Sequence, residues 1–336
     1  MGFKQSKMNA LVTGGGGFIG FALVNELVRR GFNVTSFSRG DYPELRKTGV
    51  NTVRGDLSDP DSVLQATVKT DILFHVAAKA GINGSYKEYY KTNVTGTENI
   101  INACKINKIK YLIYTSSASV VFDGKNIEGS DESLPYPDHP VSHYTATKAI
   151  AEQMILKADS PDLRTLALRP HLVYGHGDNH LYPRIISRAK TGRLKRIGSC
   201  KNLVDVSYID NVVAAHINAA KIILENPEVS GNSFFITNGE PVLLWDFIDE
   251  ILQTSGLEPV KKRVPAGPAI LFSHMSQAFH RVFLKDQESI LTPFIVNELI
   301  CSHWFNISKA RRYLNFNPVI SNLEGLRIMV EQKHKC

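Results

Sequence analysis

Thr13-Gly14-Gly15-Gly16-Gly17-Phe18-Ile19-Gly20 is the stretch on which the reading of the fold turns. Residues 9–13, just before it, are apolar enough for a buried strand. Residues 18–30, just after it, place Phe21, Leu23, Val24, Leu27 and Val28 on one side of a helix that Gly31 is placed to end. Strand, glycine-rich turn and helix in this order are the context that a dinucleotide-binding fingerprint requires. Gly14, Gly17 and Gly20 are the three spaced glycines, and a side chain in the turn would hold the backbone away from a pyrophosphate. The helix start at Phe18 and Ile19 offers free N–H groups and the positive end of a dipole to the same phosphate. The alternative is a glycine-rich turn with only a structural role.

Outward from this stretch, strand and helix alternate. Residues 33–37, 52–54, 71–76 and 111–115 read as strands, and 60–68 and 86–107 as helices. Residues 144–157 form another helix, and 165–168 another strand, stopped by Arg169-Pro170. Such alternation implies βαβ units and a parallel sheet. The fold class expected is α/β, a Rossmann-type doubly wound parallel sheet over residues 1–175. A smaller C-terminal substrate-binding region, 176–336, follows, with some of its strands and helices returning to the Rossmann body.

Composition narrows the class. With 43% hydrophobic and 21% charged residues, the 336-residue chain is not disordered and can bury a large core without staples. Cys104, Cys200, Cys301 and Cys336 have neither metal-ligand nor redox spacing, so no disulfide framework or zinc site is expected. The net charge of +7 comes from scattered Lys and Arg, with Lys261-Lys262-Arg263 the nearest thing to a cluster. It suits anionic small ligands rather than nucleic acid. Met1, Gly2 and Ser6 loosely fit a myristoylation pattern. No signal peptide or membrane span is expected, and the chain reads as cytoplasmic.

The end of the second strand selects the cofactor. An NAD site usually carries an acidic residue there, but the segment reads Ser36-Phe37-Ser38-Arg39-Gly40. Arg39 sits where a 2′-phosphate would arrive, and Ser38 could add a hydrogen bond, so NADP(H) is favoured over NAD(H). The alternative has Asp41 curling back onto the ribose. Asp56 is a candidate adenine contact, or else caps the turn before Pro60. Ala77 and Ala78 are small enough for a cofactor to lie on the backbone.

Tyr144 and Lys148 stand four residues apart and share a helix face. A nearby ammonium favours tyrosinate, and a tuned phenol can protonate a carbonyl oxygen as hydride reaches its carbon. Ser117, at the end of the fifth strand, would hydrogen-bond the substrate oxygen. Ser116 is its rival.

At this point the chain resembles the extended short-chain dehydrogenase/reductases, in the branch with 3β-hydroxysteroid dehydrogenases. The motifs are the glycine turn, Gly55-Asp56-Leu57, Asn93-Val94-x-Gly96-Thr97, Ser116-Ser117-Ala118, Tyr144-x-x-x-Lys148 and Arg169-Pro170-x-x-Val173-Tyr174-Gly175. The resemblance implies that Leu57, Pro170 and Val173 border the cofactor and that Asn93 supports Lys148. Asp41-Tyr42-Pro43-Glu44-Leu45, residues 146–153, Asn238-Gly239-Glu240-Pro241 and residues 298–305 are also similar to bacterial 2-alkyl-3-oxoalkanoate reductases of long-chain olefin biosynthesis. That likeness implies NADPH-linked interconversion of a β-keto and a β-hydroxy fatty acid, with partner enzymes in an assembly. Sterol dehydrogenases share much of this texture, and nucleotide-sugar epimerases and dehydratases use the same Ser-Tyr-Lys set with tightly held NAD. A hydrophobic small-molecule substrate and a homodimer are expected.

Residues 266–284 carry Ile270, Leu271, Phe272, Met275, Ala278, Phe279, Val282 and Phe283 at helical spacing. A core helix, a lid over greasy chains and a helix leaning on a membrane all fit this stripe. His171, His176 and His180 lack metal-ligand spacing, and no metal is expected. His171 and His176 border the substrate or cap turns, and His303 is structural or substrate-facing.

Overall fold

The computed structural model describes residues 8–81, 84–283 and 291–333. Met1, Gly2, Ser6, Leu284 and Cys336 lie outside them.

Seven parallel strands form the central sheet: β1 (Asn9–Thr13), β2 (Asn33–Ser38), β3 (Asn51–Arg54), β4 (Ile72–His75), β5 (Tyr111–Thr115), β6 (Arg164–Pro170) and β7 (Asn232–Ile236). Their spatial order is β3-β2-β1-β4-β5-β6-β7, so the chain reverses direction across the sheet between β1 and β4. Both faces are covered. Leu11, Leu73, Leu112 and Ala167 point into one core, and their neighbours Val12, Phe74, Ile113 and Leu168 into the other. That two-sided burial explains why the strands read as continuous apolar runs.

The helices that matter for the site are α1 (Phe18–Arg29), α2 (Gly96–Ile106), α3 (His143–Lys157), α4 (Leu181–Lys190), α5 (Ile209–Glu225), α6 (Leu244–Thr254), α7 (Ala266–Phe283) and α8 (Pro293–Ile300). The expected helix over 86–107 is broken by a π-helical stretch, Tyr90–Thr95, between two α-helical pieces. The strand expected to stop at Leu168 runs on through Arg169 and Pro170. β5 pairs only as far as Leu168, whereas β7 continues beside Arg169 and Pro170, so the missing proline N–H leaves no rung unfilled on the β5 side.

The boundary at residue 175 is crossed in both directions. β7 closes the sheet beside β6, and α5 packs against α1, β5 and β6. Conversely, the Ile127–Ser130 strand leaves the first half to pair with His303–Phe305 in a second, four-stranded sheet. Cys104, Cys200 and Cys301 are free thiols. No helix among the described residues is long and apolar enough to cross a membrane.

α7 buries Ala269 and Ser273, while Leu271, Phe272, Met275 and Phe279 are each more than half exposed. Packing on the core therefore does not account for its apolar stripe. Its Gln277 lines a cavity of about 230 Å³ together with Tyr144 and Phe294.

One ion pair anchors α3 to the sheet. Arg169 Nη2 lies 2.6 Å from Glu152 Oε1, and Arg169 Nε donates to both carboxylate oxygens, at 3.0 and 3.1 Å. Neither side chain is more than 2% exposed. Removing one partner strands a buried charge, which costs about 3–5 kcal/mol. Glu152→Ala should lower unfolding stability by about that amount in urea titrations. A loss below about 1 kcal/mol would show that the pair is dispensable.

Candidate active site

Beyond the paired ends of β1 and β4, where the strand order reverses, lies a groove, the position at which open α/β sheets bind their ligands. Gly14 enters it with φ +70°, and a Cβ there would lie 2.9 Å from Ala77 Cα, so the two strand ends can meet only because position 14 is glycine. A Cβ at Gly20 would collide with Gly14 O, which is why the helix start can fold against the turn. Beneath them Thr13 Oγ1 accepts from Val76 N and Ala77 N, both at 3.1 Å, and meets His75 Nδ1 at 2.9 Å. The other His75 nitrogen meets Thr97 Oγ1 at 2.9 Å. Burial, helped by the Lys148 charge, pushes His75 down to about 3, so it is a neutral strut.

Gly14, Gly17, Phe18, Ile19, Gly20, Ser38, Arg39, Asp56, Leu57, Ala77, Ala78, Tyr144 and Lys148 all line this groove, a cavity of about 300 Å³. Asn93, Pro170 and Val173 do not. Pro170 ends β6, and Val173 pairs with Ser207 in a two-stranded sheet. Asn93 stands in the π-helical stretch and acts as a brace. Its Oδ1 accepts from Lys79 N at 2.7 Å, and its Nδ2 donates to Lys79 O at 3.1 Å and to Thr147 Oγ1, beside Lys148, at 3.0 Å.

Sequence reasoning missed Thr92, Thr115, His180 and the Tyr42 ring, which covers Gly16 at the Arg39 end of the groove. The run of four glycines carried the one signal for that ring, since only a bare backbone lets an aromatic lie so close. Asp41 is turned to Arg46, 2.9 Å away, and does not line the groove. Asp56 does line it, and accepts from Ser58 N and Oγ, both at 2.9 Å. Its burial opposes ionisation, but these bonds and the Arg39 charge hold it below its ordinary value. Asp59, not Asp56, caps the helix that starts at Pro60.

Two buried hydroxyls of the groove wall, Ser38 Oγ and Ser116 Oγ, have no hydrogen-bond partner among the described residues. Orphans of this kind fit a ligand rich in phosphate and hydroxyl oxygens.

Ser142 caps α3 through a reciprocal pair with Thr145, which starts the helix so that Tyr144 falls in its first turn. Lys148 follows one turn later. Its Nζ donates to Thr115 O at 2.6 Å and lies 4.0 Å from the centre of the Tyr114 ring. Burial pushes this ammonium down to about 7, against the pull of Glu152. Burial pushes the Tyr144 phenol up, opposed by the Ser117 hydroxyl beside it and assisted by Glu298. The expectation that Lys148 draws the phenol below its ordinary value is not met in this arrangement, because burial raises it and Lys148 is not among the groups acting on it.

The two serines part company. Ser116 faces the groove, whereas Ser117 faces a neighbouring cavity of about 330 Å³, with its Oγ 2.8 Å from Ser119 Oγ. Tyr144 lines both spaces.

That second cavity is walled by Leu181 and Ile185 from α4, Leu244, Phe247 and Ile248 from α6, and Phe294, Ile295 and Leu299 from α8. Polar side chains interrupt this wall, His171 and His303 among them. His171 Nε2 and His303 Nδ1 lie 2.6 Å apart, and His303 Nε2 lies 2.9 Å from Glu298 O. Burial pushes His171 well down, with His303 adding to it, and pushes the Glu298 carboxyl up. Arg184 and Arg188 line the same wall. His171 and His303 thus border this cavity and His180 the groove, while His176 lies apart, beside α1 and Asp210. Arg184 was not legible as a site residue, since an arginine on an amphipathic helix ordinarily faces solvent.

Three comparisons bear on this geometry. The model of the 3-beta hydroxysteroid dehydrogenase/isomerase family matches residues 11–265. A 2-alkyl-3-oxoalkanoate reductase of Shewanella oneidensis is 42% identical over 95% of this chain and 84% of its own length, and one of Stenotrophomonas maltophilia is 41% identical over 95% and 98%. A decarboxylating sterol-4-alpha-carboxylate 3-dehydrogenase of Bos taurus is 34% identical over 96% of this chain and 92% of its own. Among solved structures, MoeE5 in complex with UDP-glucose and NAD superposes with a TM-score of 0.75 at 24% identity, over 97% of this chain and 99% of its own. That likeness speaks to the fold.

The buried ammonium gives a test. Lys148 holds its proton more weakly in the folded protein, near 7, than in the unfolded chain, near 10.5. Between those values the unfolded state binds more protons, so this group makes the folded state more stable as pH rises from about 7 to about 10. Lys148→Met removes that dependence. The melting temperature of the variant minus that of the wild type should therefore fall steadily from pH 6 to pH 9.5. A difference that does not change with pH would mean that Lys148 titrates normally.

Proposed function

The chain belongs to the 3-beta hydroxysteroid dehydrogenase/isomerase family and is an NAD(P)-dependent oxidoreductase of the extended short-chain type. From that premise we propose that it interconverts a 3-oxo and a 3-hydroxy group on a hydrophobic acid, with NADP(H) as its cofactor. The substrate class we favour is a 2-alkyl-3-oxoalkanoate and its 2-alkyl-3-hydroxy partner, in the formation of long-chain olefins.

The observation that carries this reading is the position of Tyr144, on the wall shared by the groove and an aliphatic cavity that also holds Ser117. Bound in the groove, the nicotinamide supplies or accepts the hydride at the 3-carbon. Tyr144 gives its phenolic proton to the 3-oxygen in reduction and takes it back in oxidation. Ser117 donates to the same oxygen and fixes its direction. Lys148, held on Thr115 O, keeps a positive charge on the groove wall while protonated.

The relatives named above support the substrate class. By their names they act on acids in which the carboxylate carbon is attached next to the carbon bearing the reacting oxygen, on a fatty chain or on a sterol ring. Leu181, Ile185, Phe247, Ile248 and Phe294 offer alkyl chains more contact than a sugar ring. Arg39 on the groove wall, with Asp41 turned to Arg46, supports NADP(H) over NAD(H).

Nicotinamide absorbance should change when the protein is given NADPH and a 2-alkyl-3-oxo acid, or NADP+ and its 3-hydroxy partner. Tyr144→Phe should slow this turnover by about 10²- to 10⁴-fold. Turnover of no β-keto or β-hydroxy lipid, together with epimerisation of UDP-sugars on tightly held NAD, would replace the reading with a sugar-directed one.

Arg39→Ala should weaken NADPH by about 10- to 150-fold, the worth of one charge-assisted hydrogen bond, and leave NADH nearly unchanged. Added salt should narrow the gap between the cofactors, because this contact is exposed and screened. Equal losses for both cofactors would assign Arg39 to the adenine end in general, and a wild type that prefers NADH would return the ribose to Asp41.

A further inference from the structure

We propose that Arg184 binds the substrate carboxylate, and that this contact selects free acids over neutral lipids in the aliphatic cavity. The proposal deepens the reading above and rests on it for the identity of the substrate.

Arg184 lines the cavity that contains Tyr144 and Ser117, on the same helix as Leu181 and Ile185. Its Nη2 is buried and has no hydrogen-bond partner among the described residues. A guanidinium is charged at every accessible pH, so it cannot escape this situation by losing a proton. Leaving one of its N–H groups dry and unpaired is costly, and the cost is recovered when an anion meets it.

Among the described residues no ion pair joins Arg184 to another group lining this space. Burial drives Glu298 toward its uncharged form, and no ion pair joins it to Arg184. Burial pushes His171 well below its ordinary value, so it brings no charge to set against Arg184. An aliphatic pocket with an unpaired guanidinium N–H in its wall is a poor container for a wax or a sterol, and a good one for a fatty acid anion.

Geometry agrees with this choice. The planar fork of arginine matches the two oxygens of a carboxylate, which a lysine ammonium does not. At about 330 Å³ the cavity lies at the small end of ligand pockets, so an anion on Arg184 and an oxygen at Tyr144 would belong to one molecule. An acid with its reacting oxygen close to the carboxylate satisfies both ends, and its alkyl arms take the apolar walls. Specificity built on a buried polar group left unpaired by the wrong ligand is the strong kind.

Two measurements test this. In the first, binding of 2-hexyldecanoate and of its methyl ester to the NADPH-loaded protein is followed by calorimetry. The wild type should prefer the acid, and Arg184→Gln should lower the acid-to-ester affinity ratio by about 10- to 150-fold, with Arg184→Lys in between. In the second, kcat and KM are measured for a 2-alkyl-3-hydroxy acid and its methyl ester. The ratio of kcat/KM values should fall by a similar factor, mainly through KM.

An unchanged acid-to-ester ratio in Arg184→Gln overturns the proposal, as does equal binding of acid and ester by the wild type. A variant that unfolds is replaced by Arg184→Lys, for which a ratio equal to that of the wild type counts against it when salt does not lower that ratio either. Acid-selective binding that depends on Arg184, without turnover of any 3-hydroxy acid, would keep the carboxylate site and refute the proposed reaction.

Discussion

The pair between Arg169 and Glu152 is the constraint from which the site hangs. It joins β6 to α3 in a place without water, and the Tyr136 hydroxyl donates to the same carboxylate at 2.7 Å. Glu152 lies one turn beyond Lys148, whose ammonium is bonded to the end of β5. The helix is thus held to two neighbouring strands at two levels, and it can neither slide nor roll without breaking a buried ionic contact. Tyr144 stands on this mount, on the wall that the groove and the cavity share. An apolar replacement of the pair could hold the helix as tightly, but it would remove the negative charge that keeps a buried lysine from losing its proton altogether.

Around this mount the two halves of the chain divide the work by chemistry rather than by position. The first half supplies a surface of bare backbone and small side chains, at Gly14, Gly17, Ala77 and Ala78, where a long polar ligand can lie flat. The second half supplies aliphatic and aromatic side chains from α4, α6 and α8, which close over the other side of the phenol. The His303–Phe305 strand, pairing with Ile127–Ser130, locks the second set onto the first. This is why the cavity is continuous with the core and not an appendage to it.

The parallel sheet and the groove were legible because they rest on local signals. Strands buried on both faces must be apolar throughout, and a helix start that approaches a phosphate must be glycine. Twelve of the groove residues could be named from residue chemistry and spacing, whereas of the three taken from a motif alone Leu57 lines the groove and Pro170 and Val173 stand elsewhere. The direction of the Tyr144 shift was not legible, because it depends on how much water the fold removes, and Lys148 spends its hydrogen bond on a carbonyl of the sheet. The aliphatic cavity was the least legible part. Its lining comes from Ser117, Arg184, Phe247 and Glu298, which no local period connects, and its arginine has the spacing of a surface residue. The apolar stripe of α7 drew notice for its composition, yet most of it faces outward.

The π-helical stretch Tyr90–Thr95 has a consequence for how this chain can change length. A wide turn holds one residue more than the α-helix around it needs, and such turns recur at functional sites. Here the surplus aims Asn93 at once toward Lys79 and toward Thr147, on two separate elements. Deleting a single residue there would let the segment relax into an ordinary helix and rotate everything on one side of it by about 100°. The hydrogen bonds of the backbone would improve while the brace beside Lys148 disappeared. Local regularity and a working site are in opposition at this point, so the irregular turn is itself a sign that the chain is held to its chemistry.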